Sequence, residues 1–138
     1  MRTRWEAIAD GTVELPANQT MGFKPAETQD PREEISFTWK VPPEYCNTAG
    51  NLQGGVLAAF ADAVLGAATS AHLPEDEYPA LAEMKISILR PAPAGTLLVG
   101  DGYVLKRGQR VVFAEAEITD EDGTLIAKAS GTEIPAKA

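Results

Sequence analysis

The sequence predicts an α+β fold in which one long helix is wrapped by an antiparallel sheet of about five strands. Three observations lead there. Residues Gly54–Leu73, "GGVLAAFADAVLGAATSAHL", are apolar or small almost throughout, with Asp62 as their one charged side chain. A helix that is apolar nearly all round needs burial nearly all round. Before and after it the pattern changes to period two, which marks half-buried strands. Gly-rich and Asp-Gly breaks separate those strands. The chain has 138 residues, 44% of them hydrophobic. That is enough for a single domain, 1–138, with a real core.

The elements follow in order. "RTRWEAIADG" spaces Trp5, Ile8 and Ala9 helically and ends at Gly11, a short helix. The stretch to residue 33 is broken by Pro16, Pro25 and Pro31 and reads as an irregular lead-in. "EISFTWKV" alternates Ile35, Phe37, Trp39 and Val41 against Ser36, Thr38 and Lys40, the first strand. "PPEYCNTAGN" is a loop, and the long helix then runs to Pro74. Four strands should follow as an antiparallel meander. The first, "EMKISILRP", puts Met84, Ile86 and Ile88 on one face. "GTLLVGDGYVLKRG" and "QRVVFAEAEITD" turn at Arg107-Gly108, and "TLIAKASGTEI" follows the Asp122-Gly123 turn.

Composition excludes several roles. The net charge of −8 repels a phosphate backbone, so no nucleic-acid partner is expected. The Ala- and Gly-rich helix carries Asp62 and precedes soluble-type strands, so it reads as a core helix with no membrane partner. "MRTRWEAIADG" has no apolar run of signal-peptide length, and the lone Cys46 fits a reducing, cytoplasmic setting. One histidine and one cysteine cannot make the usual zinc set, so no metal is expected.

A Ser-His-Asp or Cys-His site needs a base beside its nucleophile. His72 falls at the end of the helix, where it suits the C-terminal dipole, and Cys46 lies in a loop. That leaves Asp62. Gln53-Gly54-Gly55 stands at the helix start, where two residues without side chains expose free N–H groups to an approaching oxygen. A carboxylate and an oxyanion hole are the minimum for acyl transfer. Yet Gly54 and Asp62 lie about 12 Å apart along one helix at 1.5 Å per residue. One acyl carbon cannot touch both. Two helices running antiparallel across a two-fold axis would bring each Asp62 to the other's Gly54, so catalysis requires a homodimer.

The ordered set Asn47-x-x-Gly50, Gln53-Gly54-Gly55, Asp62, Leu89-Arg90-Pro91-Ala92, Arg107-Gly108 and Asp122-Gly123 resembles the hotdog-fold acyl-CoA thioesterases, in their PaaI-like (phenylacetyl-CoA thioesterase-like) branch. The likeness runs from about Asn47 to Thr132. It implies that Asp62 attacks the thioester or activates water, that the Gly54 N–H polarises the carbonyl, and that Asn47 helps place the water or the carboxylate. Gln53 stands where many members have histidine. Several members place Ser or Thr near Leu81 or Ala82, and neither is present here, which leaves Asn47 or Gln53 to serve the water. Coenzyme A enters as part of the substrate, with no separate cofactor. Hotdog dimers often pair further, so a homotetramer is a second expected assembly.

The remaining assignments concern substrate. Lys106, Arg107 and Arg110 form the one dense basic patch, and with Arg90 they are candidates for the phosphates of coenzyme A. Gly55 lets the substrate approach the helix start, and Phe23, Tyr45 and Leu81 are candidates for an acyl pocket suited to aryl or medium chains. A thiolate leaves readily, so a site without histidine suffices for a thioester. A hotdog dehydratase would need a histidine at the site, and His72 is at the wrong end. A non-catalytic acyl-CoA sensor is the alternative from another class; it would keep the pocket but have no need of Asp62. A purely structural dimer module would need neither the carboxylate nor the glycines.

Overall fold

The computed structural model describes residues 1–138. Helices α1 (Arg4–Ala9) and α2 (Pro16–Met21) and the short strand β1 (Lys24–Pro25) come first, then β2 (Ile35–Lys40). A single 3₁₀ turn, Pro43–Tyr45, leads to α3 (Gly54–Ser70), followed by β3 (Glu77–Ile88), β4 (Leu97–Arg107), β5 (Val112–Thr119) and β6 (Leu125–Lys137). The six strands form one sheet in the order β1-β2-β4-β5-β6-β3, antiparallel at every pairing. No helix is long and apolar enough to cross a membrane.

The wrapped helix is as expected. Leu57, Phe60, Ala61, Val64, Leu65 and Ala68 of α3 are buried against the sheet. The sheet answers with small residues. A Cβ on Gly102 would sit 2.7 Å from Val64 Cγ1 and 2.9 Å from the Val64 carbonyl, and one on Gly100 would sit 2.7 Å from Val64 Cγ2. Only glycine lets the helix come this close. At one end the core is aromatic. Phe23 packs edge-on to Trp39, with ring centroids 4.8 Å apart, and Phe60 lies 5.2 Å from Phe23. The Trp39 indole N–H donates to the Met21 carbonyl (2.9 Å), tying the lead-in to the sheet.

Four expectations need correction. The lead-in contains α2 and β1, because Pro16 occupies the first turn of a helix, where its missing N–H costs nothing, and Gly22 ends that helix at φ +86°. Pro25 lies in an outermost strand, the place in a sheet that tolerates proline. The sheet is a meander only through β4, β5 and β6: β3 crosses over to pair with β6 at the far edge. That strand also begins at Glu77, seven residues before Met84, since Tyr78-Pro79 pairs with Pro135 and Ala136. Lastly, the sheet covers only one side of α3, and Gly55, Ala59 and Asp62 face outward.

Candidate active site

The helix start is built by a closed loop. Asn47 Oδ1 accepts from the N–H groups of Ala49 (3.0 Å) and Asn51 (3.2 Å), and the Asn47 N–H donates to the Asn51 carbonyl (2.7 Å). Gly50 completes the turn at φ +79°. Asn47 therefore spends its carbonyl oxygen on the loop and keeps its amide N–H₂ for other partners. The Gln53 N–H donates to the Tyr45 carbonyl (3.0 Å), and the Gln53 carbonyl takes the N–H groups of Val56 and Leu57. The N–H groups of Gly54 and Gly55 have no acceptor in the chain. They point along the positive end of a 17-residue helix, a setting for negative oxygen. A Cβ on Gly54 would press on Ile88 Cδ1 at 3.2 Å, whereas Gly55 has open space.

Asp62 lies two turns further on, on the outward stripe of Gly55, Ala59, Asp62 and Gly66. It makes no hydrogen bond or ion pair within the chain. It borders a cavity of about 340 Å³. The walls are mostly apolar, with Ile8, Leu15 and Met21 from the lead-in, Phe23, and Tyr78 with Pro79 at the start of β3; Arg4, Asn18 and Ser70 are their polar members. These walls strip water from the carboxylate and raise its pKa above the ordinary value.

Of the residues named from sequence, Phe23 shares this cavity with Asp62; Tyr45 and Leu81 do not line it. Tyr45 stacks at a tilt on Trp39, with centroids 6.2 Å apart, beneath the helix-start loop. Leu81 pairs with Glu133 across β3 and β6. The basic residues are split. Arg90 lies near the helix start, since Leu52 donates to the Ala92 carbonyl (2.8 Å), and its Nη1 donates to the Leu125 carbonyl (2.7 Å). Lys106, Arg107 and Arg110 are exposed at the β4–β5 hairpin, beside Val112, which pairs with Glu133. Gly54 contacts Ile88, which pairs with Ala127. From Ala127 to Glu133 is about 20 Å of strand at 3.3 Å per residue. Within one chain the hairpin and Arg90 thus stand at opposite ends of the sheet.

Two parts of the site escaped sequence reasoning. One is the wall supplied by α1 and α2, hidden in a stretch rich in proline. The other is Glu133, which lies outside the cavity lining, on the inner face of β6. It is 1% exposed, and neither carboxylate oxygen has a hydrogen-bond partner. Burial, and secondarily the charge of Asp62, push its pKa up to about 7. The signal was available: Ala127, Ala129, Gly131 and Glu133 alternate with outward residues, which places Glu133 on the inner face. His72 stands just past the helix end, where Nε2 donates to the Arg32 carbonyl (2.9 Å), far from this chemistry in role.

Comparison with known proteins gives this geometry its family. Residues 49–127 match the model of the Thioesterase superfamily. A candidate esterase of Saccharolobus solfataricus is 34% identical over 90 residues, which span 64% of this chain and 62% of that one, a little under two thirds of its length. Acyl-coenzyme A thioesterase 13 of Mus musculus is 29% identical over 102 residues, 72% of this chain and 71% of that one. The crystal structure of a phenylacetic acid degradation-related protein from Ralstonia eutropha JMP134 superposes with a TM-score of 0.85 at 27% identity, covering 95% of this chain and 98% of that one. The chain belongs to the thioesterase superfamily, with the hotdog fold and the PaaI-like pattern of that family.

Proposed function

We propose that this PaaI-like thioesterase hydrolyses acyl-CoA thioesters of small aryl or medium-chain acids at a site shared by two copies of the chain. The observation that carries this reading is Asp62: an unpartnered carboxylate, desolvated at the edge of an apolar cavity, on the one face of α3 that the sheet leaves open.

The need for a second copy follows from the edge strand. β3 presents 12 residues of strand with one side unpaired, and Tyr78, Leu81 and Ile88 along it are exposed. Such an edge invites another strand. Gly54 contacts Ile88, and Gly66 lies against Pro79. The helix therefore runs antiparallel to β3. If two β3 strands pair antiparallel about a two-fold axis, the Ile88 end of one meets the Pro79 end of the other. Gly54 of each chain then lies beside the Asp62 half of its partner's helix. The same operation brings Arg90 of one chain toward the hairpin Lys106, Arg107 and Arg110 of the other, a single basic rim for the coenzyme A phosphates. Dimers that pair further would form the tetramer.

In this arrangement the acyl group occupies the cavity, whose 340 Å³ is at the small end of ligand pockets. The thioester oxygen meets the partner's Gly54 N–H. Asp62 takes a proton from water as the water oxygen bonds to the carbonyl carbon, or attacks that carbon itself to give a mixed anhydride that water then cleaves to the free acid and the Asp62 carboxylate. The C–S bond breaks with its electron pair on sulfur, and the thiolate takes up a proton as it leaves. Asn47 and Gln53, at the helix start, orient the water. No separate cofactor is required, since coenzyme A belongs to the substrate.

The test is thiol release from a panel of acyl-CoA thioesters. Turnover should be highest for aryl or medium-chain acyl groups, and Asp62→Asn should lower kcat by at least ~10²-fold. Thermal stabilisation by acyl-CoA without thiol release would instead identify a sensor.

A further inference from the structure

Asp62 has a second carboxyl group near it, on the sheet side of α3. Three polar side chains are buried, and two of them are satisfied: Thr69 Oγ1 donates to the Leu65 carbonyl (2.9 Å), and Ser70 Oγ donates to the Gly66 carbonyl (2.8 Å). Glu133 is the exception. Its strand neighbours in register are Leu81 and Val112, both apolar. Gly131, two residues before it on the same face, lies against Leu65 Cδ1 of α3. Glu133 therefore projects under the half of the helix that carries Asp62.

No cation compensates it. Asp62 is the only charged residue on α3. On β5, Glu115 and Glu117 alternate with the buried Ala114 and Ala116, so they face outward, near Lys128. On β3, Glu83 and Lys85 line a groove on the outer face with Phe113, Ser130 and Thr132, and Glu77 lies at the chain end beside Lys137. On β6 itself, Lys128 and Lys137 are exposed. On α1, Arg4 lines the cavity with Asp62 and its Nη1 donates to the Glu75 carbonyl (3.0 Å), so the charge that acts on Glu133 is the like one of Asp62. An ionised carboxylate buried without a partner is costly, so the group stays uncharged through the ordinary carboxylate range and ionises only near neutral pH.

Resting on the catalytic reading of Asp62, we propose that Glu133 is a positioning residue: uncharged, it keeps the sheet side of Asp62 neutral, and when it ionises it sets a second negative charge against the site and suppresses turnover. The suppression acts twice. Asp62 must be negative to serve as base or nucleophile, and the thioester oxygen becomes negative in the transition state. A buried charge of the same sign raises the energy of both. The active form thus has Asp62 ionised and Glu133 protonated, two carboxyl groups separated in role by their surroundings.

The experiment is a pH–rate profile of kcat for the wild type, Glu133→Gln and Glu133→Leu, corrected for spontaneous hydrolysis. Wild-type kcat should fall on the alkaline side with a midpoint near the Glu133 value of about 7. It should lose roughly 30-fold between about pH 6 and about pH 8.5, as a single titration does 1.5 pH units past its midpoint. In both variants that limb should vanish, with the ratio of the two rates within about twofold of one. A limb that persists in a folded variant, or is absent from the wild type, overturns the proposal. Should both variants fail to fold, carboxyl carbon NMR of the intact protein decides. Glu133 should titrate near neutral pH, and Asp62→Asn should move that titration to lower pH by removing the opposing charge. Titration in the ordinary carboxylate range, or no response to Asp62→Asn, would equally overturn it. Because this coupling needs no turnover, its presence in a protein that cleaves no thioester would count against the catalytic reading of Asp62 alone.

Discussion

The two faces of α3 are made of similar residues and do opposite work. The face toward the sheet carries Leu57, Phe60, Val64 and Leu65, all buried to within 2% exposure, and the sheet meets it with glycines. The outward face carries Gly55, Ala59, Asp62 and Gly66, small residues with one acid among them. Both read as apolar in sequence. The first is apolar and bulky, which fills space and holds the fold. The second is apolar and small, which opens space beside a carboxylate. Side-chain volume, more than hydropathy, separates the face of this helix that fills the core from the face that borders the cavity.

That contrast breaks most visibly on the inner face. Phe60→Ala should cost about 3–5 kcal/mol of stability, read as a fall in the denaturant midpoint, because the ring is fully buried among Phe23 and Trp39. Beneath the helix, Glu133 gives a pH signature. Its carboxyl binds a proton more tightly folded, at about 7, than at its ordinary 4.5. The folded state therefore loses stability relative to Glu133→Gln as pH rises from about 4.5 to 7, then no more. At 1.36 kcal/mol per pH unit the loss is roughly 3 kcal/mol. A flat difference between the two proteins over that window would contradict the burial.

The outward face should behave in the reverse way. Asp62→Asn, which should abolish most turnover, is expected to leave the unfolding midpoint unchanged or higher, since it removes a desolvated charge. A large loss of stability would make Asp62 a structural residue. The smallest effect belongs to the hairpin. Neutralising Lys106, Arg107 and Arg110 together should raise KM for CoA thioesters severalfold and spare kcat, because exposed phosphate contacts are remote from the bond broken. An unchanged KM would assign the three residues to solvent alone.

Much of this was legible in sequence because it rests on local periodicity. The long helix, the alternation of Ile35, Phe37, Trp39 and Val41, and the turns at Gly108 and Gly123 are all set by neighbours in the chain. What was not legible depends on residues far apart. The crossing of β3 to the far edge beyond β6 follows from pairings over some fifty residues, and a strand that begins "EYP" carries no local mark of one. The lead-in prolines obscured α2, although one of them starts it. The site divides the same way. Asp62 and the glycines announce themselves by type and spacing. The cavity wall and the partnerless state of Glu133 exist only once the lead-in, helix and last strand are packed.

If each site joins Asp62 of one chain to the helix start of another, two inactive variants should rescue each other when mixed. Asp62→Asn removes the carboxylate. Gly54→Val places a side chain over the N–H groups, and its Cβ meets Ile88 Cδ1 at 3.2 Å. Each variant alone should be nearly inactive. Co-expressed or refolded together, they pair at random, and half the dimers are mixed. In a mixed dimer one shared site carries both lesions and the other carries none. About a quarter of all sites should then be intact, and thiol release should recover to about a quarter of the wild-type rate. Activity that stays at the level of the separate variants, with mixed dimers verified by mass, would mean that each site lies within one chain and would contradict the shared site.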